Sequence, residues 1–349
     1  MTTMLDYINE EPSVLMRILE EFDKEKQPIF KQVRHCLILA TGSSFNACLA
    51  AKYYMEKTAN LFIDIQEPYQ FTHYGKLDPQ VDLVIAVSQG GRSASTIQAL
   101  EKIQNIDCVQ ILVLTNEKES PITKIADKVI LLNCGEEKVG FVTKGYTATV
   151  LNLMLISLVI GISTDYINEK AKQEELVQLK KVLLNIKNSI AFAESFFGKY
   201  EKELINGNRF IAIGYGPNWG TAKEFETKFT ETVRKPSQGF ELEAYMHGPY
   251  LEANQEHMLF FIEGNGKIEN QRLNDLKNYM TDHVSACYTI QLSQEKLINA
   301  KFQEIPDKLT PLLLVIPIQY LAYKIAEGKG IDLAKPIFSD FDQKLKSKL

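Results

Sequence analysis

One pattern returns twice along this chain: a continuous apolar strand, a loop of small residues, then a helix. Cys36-Leu37-Ile38-Leu39-Ala40 runs into Thr41-Gly42-Ser43-Ser44, and Asn46 to Glu56 then reads as helix. Asp82 to Val87 runs into Ser88-Gln89-Gly90-Gly91-Arg92-Ser93, followed by a helix from about Ser95 to Ile103. Gln110 to Thr115 and Val129 to Leu132 supply two more short strands. Strands that are apolar along their whole length must be covered on both faces, and strands that alternate with helices build parallel sheets. The second half repeats the scheme. Phe210 to Pro217 parallels the Ala40–Ser44 region, Met258 to Gly266 parallels the Ser88 loop, and Ala286 to Leu292 parallels Gln110 to Thr115. Pro311 to Ala326 parallels the apolar run Thr147 to Ile162. The offset of about 170–180 residues is far too long for a solenoid and implies two similar domains.

The expected organisation is an N-terminal helical segment over 1–33, a first domain over 34–165, a helical linker over 166–203 and a second domain with its tail over 204–349. In the linker Leu176, Leu179, Leu183 and Ile186 recur at helical spacing among charged residues. Each domain is expected to be α/β, a flavodoxin-like parallel sheet with helices on both faces.

Composition narrows the function classes. With 45% apolar and 24% charged residues the chain is of ordinary globular type, which excludes disorder as its main state. A net charge of −5 provides no global basic field for nucleic acid or anionic lipid. The five cysteines, Cys36, Cys48, Cys108, Cys134 and Cys287, are scattered, with no CxxC and no Cys/His metal spacing. No metal and no cofactor are therefore expected. The run from Thr147 to Ile162 is short for a membrane span and carries Asn152 and Ser157, so it reads as a buried helix. The opening residues lack the basic end and apolar core of a signal peptide. These features together predict a cytoplasmic protein.

Two sets of residues could carry chemistry. The Ser88–Ser93 loop follows a buried strand and opens a helix, where backbone N–H groups and the helix dipole favour an anion. Ser88, Gln89 and Ser93 add side-chain donors, and Ser43 and Ser44 occupy the same position on the neighbouring loop. Ligands of open parallel sheets bind outside the carboxyl ends of the strands. These residues fit a phosphate monoester held without a metal, and they fit equally well two ordinary turns with serine N-caps. Neither a Walker loop nor GxGxxG is present.

The second set lies on a helix expected from about Thr221 to Val233. Ala222, Phe225, Phe229 and Val233 form its apolar face, and Glu224, Lys228 and Glu231 share the other side. By pattern alone that is a solvated face with a Glu224–Lys228 pair. Further on, His247 precedes Gly248-Pro249, in a loop that cannot remain helical. A carboxylate and an imidazole in one domain could serve proton transfer at a sugar carbonyl.

Thr41-Gly42-Ser43-Ser44-Phe45-Asn46, Ser88-Gln89-Gly90-Gly91-Arg92-Ser93, the helix with Lys228 and Glu231, and His247-Gly248-Pro249 stand in an order and spacing that resemble the double sugar-isomerase (SIS) module. That module forms the isomerase half of glutamine–fructose-6-phosphate aminotransferase. The resemblance runs from about residue 34 to the C-terminus and implies a sugar-phosphate ligand. It implies that Ser44, Ser88, Gln89 and Ser93 hold the phosphate, with Gly90 standing where the family has a serine. It implies that Glu231 moves a proton between C1 and C2, that Lys228 lies near the same site, and that His247 assists ring opening from a partner subunit of a homodimer. A family lysine six residues from the C-terminus forms a Schiff base with the ketose. Lys344 takes that place by counting from the end, although Phe341-Asp342-Gln343-Lys344-Leu345-Lys346 departs from the family tail.

The family synthase also carries a glutaminase domain with a catalytic cysteine directly after its first methionine. Here Met1 precedes Thr2, and about 34 residues precede the first strand. The chain is accordingly expected not to draw ammonia from glutamine. Its opening, Thr3-Met4-Leu5-Asp6-Tyr7-Ile8, resembles the stand-alone members, which include fructosamine-6-phosphate deglycases, amino-sugar-phosphate deaminases and isomerases. The expected function is deglycase or deaminase action on a 6-phosphorylated fructosamine or amino sugar. The alternatives are aldose–ketose phosphate isomerisation and a non-catalytic sugar-phosphate sensor. Retention of Glu231 with His247 argues against the sensor. The expected partners are the phosphosugar and a second copy of the chain, with no nucleic acid and no membrane.

Overall fold

The computed structural model describes residues 2–24, 28, 30, 32–106, 108–139, 141–291 and 305–349. Part of the expected N-terminal helical stretch (25–27, 29 and 31) and Leu292 lie outside the described residues. The described chain forms two parallel sheets. The first has five strands in the order β2-β1-β3-β4-β5: β1 His35–Leu39, β2 Phe62–Gln66, β3 Leu83–Val87, β4 Gln110–Thr115 and β5 Lys128–Leu131. The second has four in the order β7-β6-β8-β9: β6 Arg209–Gly214, β7 Ser237–Glu241, β8 His257–Ile262 and β9 Ala286–Ile290. Among the described residues every strand pair is parallel, with registers such as Ile38↔Ile85 and Ile211↔Leu259. The fold is α/β with two tandem parallel-sheet domains, as the recurring strand–loop–helix pattern predicts.

The first strand order is the flavodoxin-type 2-1-3-4-5, whose direction of winding reverses between β1 and β3. The second repeats it through four strands, with the reversal between β6 and β8. The strand-to-helix loops beside each reversal splay apart, and a crevice opens there.

Both sheets hold together by burial of aliphatic strands beneath helices. In the first, Leu37, Leu39, Val84, Ala86 and Val113 pack with Ile97, Leu100 and Ile103 of α4 (Ala94–Ile103). In the second, Ile211, Ile213, Leu259 and Phe261 pack with Leu273, Leu276 and Met280 of α10 (Lys267–Met280). The apolar helix α5 (Lys144–Ser163) would pass for a membrane span by length and hydropathy, yet its most apolar window is 94% buried within the protein. Its polar groups are satisfied internally. Asn152 Nδ2 donates to the Ala148 carbonyl at 2.8 Å, and the Ser157 and Thr58 hydroxyls meet at 2.7 Å. Gly161 faces α2 (Ser43–Ala59), where a Cβ would come within 2.4 Å of the Thr58 carbonyl, so only glycine permits that approach.

The compact units interleave along the sequence instead of following it. One gathers 1–16, 137–144 and 177–335 around the second sheet, and the other gathers 17–136, 145–176 and 336–349 around the first. The tail, expected with the second domain, lies in the first sheet's unit. Its backbone explains this: Leu349 N–H donates to the Arg92 carbonyl at 2.9 Å, Ala94 N–H donates to the Ser347 carbonyl at 3.1 Å, and Ser93 and Lys348 form an antiparallel bridge. The linker stretch is two helices, α6 (Glu169–Leu184) and α7 (Ile186–Asn206).

Candidate functional site

The first sheet's reversal is flanked by the two serine loops. After β1 the chain turns at Gly42, with φ +59°, and enters α2 at Ser43. After β3 it turns at Gly91, with φ +62°, where a Cβ would fall 2.1 Å from Ser120 Oγ. Gly91 N–H donates to the Ser88 carbonyl and Ile122 N–H to the Gly91 carbonyl, which fixes the loop against the next connection. Gly90, by contrast, faces open space.

The serine N-cap reading holds only for position and only in one loop. The cap of α2 is Gly42, and Ser93 occupies the cap position of α4 without a side-chain cap bond. Its oxygen instead accepts from Thr96 Oγ1 at 2.9 Å. Among the described residues the Ser44 and Ser88 hydroxyls have no hydrogen-bond partner, and Ser88 is 8% exposed. Gln89 is held firmly. Its carbonyl accepts from Asn116 N–H at 2.8 Å and from Thr115 Oγ1 at 3.1 Å. Its carboxamide lies against Gly145 at the start of α5, where a Cβ would come within 2.4 Å of Nε2, with Cys134 Sγ at 4.0 Å. Ser43, Ser44, Ser88, Gln89 and Ser93 thus sit on two loops at one sheet edge. Lys344 belongs to the same compact unit, in the short helix α12 (Phe341–Leu345), where it is exposed and paired with Asp340 at 2.6 Å.

The second unit carries a charged cluster that corrects the solvated-face reading. Glu224 and Lys228 are fully buried on α8 (Asn218–Lys228). Lys228 Nζ donates to Glu231 Oε2 at 2.5 Å and lies 3.7 Å from Glu224 Oε1. Glu231 retains 38% of its side-chain exposure. Burial works against the ammonium, but Glu224, Glu231 and the more distant Glu137 outweigh it and raise the Lys228 pKa above the ordinary lysine value. Lys228 is therefore a fixed positive charge, with one carboxylate sealed behind it and one reaching solvent. A sequence pattern cannot separate this from a surface ladder, because i, i+4 and i+7 charges look the same whichever way the face points.

The helix also changes character here. Phe229–Val233 is a π turn, closed by Arg234 N–H on the Phe229 carbonyl at 3.0 Å with Arg234 at φ +57°. Single π turns occur often at functional sites. His247 ends the short helix α9 (Leu242–Met246), exposed, ahead of Gly248 at φ +142°. It makes no hydrogen bond or ion pair to Lys228 or Glu231.

Sequence reasoning missed Lys144. It is 5% exposed, pairs with Glu10 at 2.5 Å and lies over the Tyr7 ring at 4.9 Å. The usable signal is a lysine followed by glycine at the start of a mostly apolar helix. No cluster of metal-ligating residues occurs among the described residues.

Residues 29–161 match the model of the SIS domain family. Over 355 residues the chain is 24% identical to the glutamine–fructose-6-phosphate aminotransferase (isomerizing) of Pseudomonas putida KT2440, covering 95% of this chain and 57% of that one. It thus spans a little over half the length of the curated relatives it matches. A solved structure from Clostridium difficile 630, described as a candidate phosphosugar isomerase, is 25% identical with TM-score 0.88, covering 99% of this chain and 98% of that one. The C-terminal domain of glucosamine-fructose-6-phosphate aminotransferase from Francisella tularensis is 20% identical with TM-score 0.85, covering 95% and 98%. Residues 29–161 thus resemble the SIS domain, and the chain as a whole resembles the isomerase half of the aminotransferase.

Proposed function

We propose that this protein cleaves a 6-phosphorylated fructosamine or amino sugar by moving a proton between C1 and C2. The observation that carries the reading is the buried Lys228 ammonium, 2.5 Å from a Glu231 carboxylate that still reaches solvent. A carboxylate placed this way can take a proton from a carbon acid. In a fructosamine phosphate the amine is on C1, beside the C2 carbonyl. Glu231 removes a proton from C1, and the electron pair forms an enaminol. Return of the proton to C2 leaves an imine at C1. Water adds there, the C–N bond breaks, and the products are an aldose phosphate and the free amine. The sequence is a hydrolysis with no net redox change.

The serine loops of the first sheet suit the phosphate, since their hydroxyls and the start of α4 favour an anion. His247, exposed at the end of α9, is assigned to ring opening in the site of a second copy of the chain. Lys344 is assigned a carbonyl-binding role, which requires it to leave its exposed pair with Asp340. Five free cysteines suit a reducing cytoplasm. The same shuttle would run aldose–ketose isomerisation, and the substrate decides between the two readings. The test is incubation with a panel of 6-phosphorylated Amadori compounds, following amine release. Rapid ketose–aldose interconversion with no amine released from any of them would replace the deglycase reading by the isomerase one.

The homodimer has its own test. Mixing inactive Glu231→Gln with inactive His247→Ala protein should restore part of the activity through hybrid sites. Full activity in a proven monomer would end the shared-site assignment.

A further inference from the structure

We propose that Thr232 is a positioning residue that holds the π turn in the shape that brings Glu231 to Lys228. This rests on the reading of Glu231 as the proton shuttle. In an α-helix the Lys228 carbonyl would accept from the N–H four residues ahead, that of Thr232. A π turn passes this bond to the residue five ahead, and the wider turn is intrinsically rare. Here the hydroxyl of Thr232 supplies a donor to the carbonyl that its own N–H would serve in an α-helix. Thr232 Oγ1 donates to the Lys228 carbonyl at 2.7 Å. It also lies 3.3 Å from the Ala322 carbonyl of α11 (Pro311–Gly328), so the turn is tied to a neighbouring helix.

Thr232 is completely buried, so no water takes over the bond. Hydroxyls that bond back to the carbonyl four residues earlier often bend helices, and Thr232 follows Glu231 directly. Phe229, at the start of the turn, stacks on Phe225 with centroids 3.8 Å apart and meets Phe210 at 5.3 Å. The turn is therefore held by aromatic packing as well as by the hydroxyl. Thr232 supplies the polar grip, and the Glu231–Lys228 contact depends on both.

The test compares Thr232→Val, which keeps the shape and loses the hydroxyl, with Thr232→Ser, which keeps the hydroxyl. Crystal structures of both are the first arm. The valine variant should relax toward an α turn and open the Glu231–Lys228 contact, and the serine variant should retain both. Deuterium uptake from solvent at C1 of fructose 6-phosphate is the second arm. The valine variant should lose about 10- to 100-fold in kcat, the penalty typical of a displaced catalytic group, with KM unchanged, and serine should restore the rate. If the valine variant does not fold, Thr232→Ala is read in the same way. An unaltered π turn and contact in the valine structure would overturn the inference, as would a serine variant as impaired as valine. Failure of the underlying reading shows separately: Glu231→Gln would keep the exchange rate, whatever the Thr232 structures show.

Discussion

The two sheet reversals share a topology and differ in what surrounds them. Beside β1 and β3, the Ser44 and Ser88 hydroxyls stand without a hydrogen-bond partner among the described residues. Beside β6 and β8, the matching loops are engaged with the chain itself. Asn265 N–H donates to Asp307 Oδ1 at 2.6 Å, Tyr215 OH to Asn270 Oδ1 at 2.5 Å, and Asn270 Nδ2 to the Gly264 carbonyl at 2.9 Å. Asn218 Nδ2 donates to Thr310 Oγ1 at 2.9 Å. A Cβ at Gly264 would meet Asp307 Oδ1 at 2.3 Å, so this loop packs closely against Asp307. Glu263 and Asp307 are acidic, and burial raises both pKa values. A sugar phosphate would meet buried acidic groups there and hydroxyl donors at the first reversal. Topology fixes where a ligand can enter, and side chains decide which of two equivalent entrances is usable. The proposed function assigns the phosphate to the serine loops of the first sheet and the proton transfer to Glu231.

The sharpest way to break that division is to disable the chemistry and ask whether binding survives. Glu231→Gln should lower turnover by about 10²–10⁴-fold, the range for a general acid–base group, and leave sugar-phosphate affinity within a factor of a few. Single-turnover kinetics with parallel calorimetry reads both numbers. Full turnover would remove Glu231 from the chemistry, and a lost affinity would mean that the second sheet also anchors.

The reverse experiment is Ser88→Ala. Loss of one hydrogen bond to a charged group costs about 1.5–3 kcal/mol, so calorimetry with a sugar 6-phosphate should show roughly 10- to 150-fold weaker binding. Unchanged affinity would place the phosphate elsewhere.

A smaller effect tests how the first entrance is shaped. Gly145→Ala puts a methyl where only 2.4 Å separates the Cβ position from Gln89 Nε2. The carboxamide must swing away while the Gln89 backbone stays fixed by Asn116 and Thr115. Phosphosugar affinity should fall about tenfold or less, the scale of one neutral hydrogen bond, with the melting temperature nearly unchanged. Affinity equal to wild type would show that the Gln89 side chain takes no part in binding.

Much of this was legible in the sequence where burial is uniform. Strands β1, β3 and β4 are continuous apolar runs, and the structure places them within a few residues of where they were expected. Strand β2, Phe-Ile-Asp-Ile-Gln, was invisible because it lies at a sheet edge, with Phe62 73% exposed and Ile63 buried. Strand β7, Ser-Gln-Gly-Phe-Glu, is polar and also lies at an edge. The serine loops could be read because they follow buried strands directly. The burial of Lys228 and the docking of the tail on Arg92 could not, since both depend on contacts between distant segments. The same holds for Asp307, which reaches its loop across 42 residues of sequence.

The smallest expected effect isolates the second entrance. Burial raises the Asp307 pKa first of all and Glu269 adds to it, against the pull of the Asn265 and Gly266 N–H groups and Lys308. Its unfolded value is the ordinary one, near 3.9. As pH falls, the folded chain therefore takes up this proton before the unfolded chain does. Unfolding free energy from this group rises as pH drops through the raised folded value and levels off below about 3.9. Above the raised folded value the ionised carboxylate costs stability, because burial disfavours its charge. Asp307→Asn keeps an oxygen to accept from Asn265 and removes the titration. Urea unfolding between about pH 4 and 7 should lose part of its slope against pH, by less than the ~1.4 kcal/mol per pH unit that one fully buried group could give, since solvent partly screens this site. Glu263 continues to contribute in the same direction. An unchanged slope would mean that Asp307 titrates alike in both states. The second entrance would then be closed by packing alone, and the charge difference between the two reversals would lose its role in directing phosphate to the first sheet.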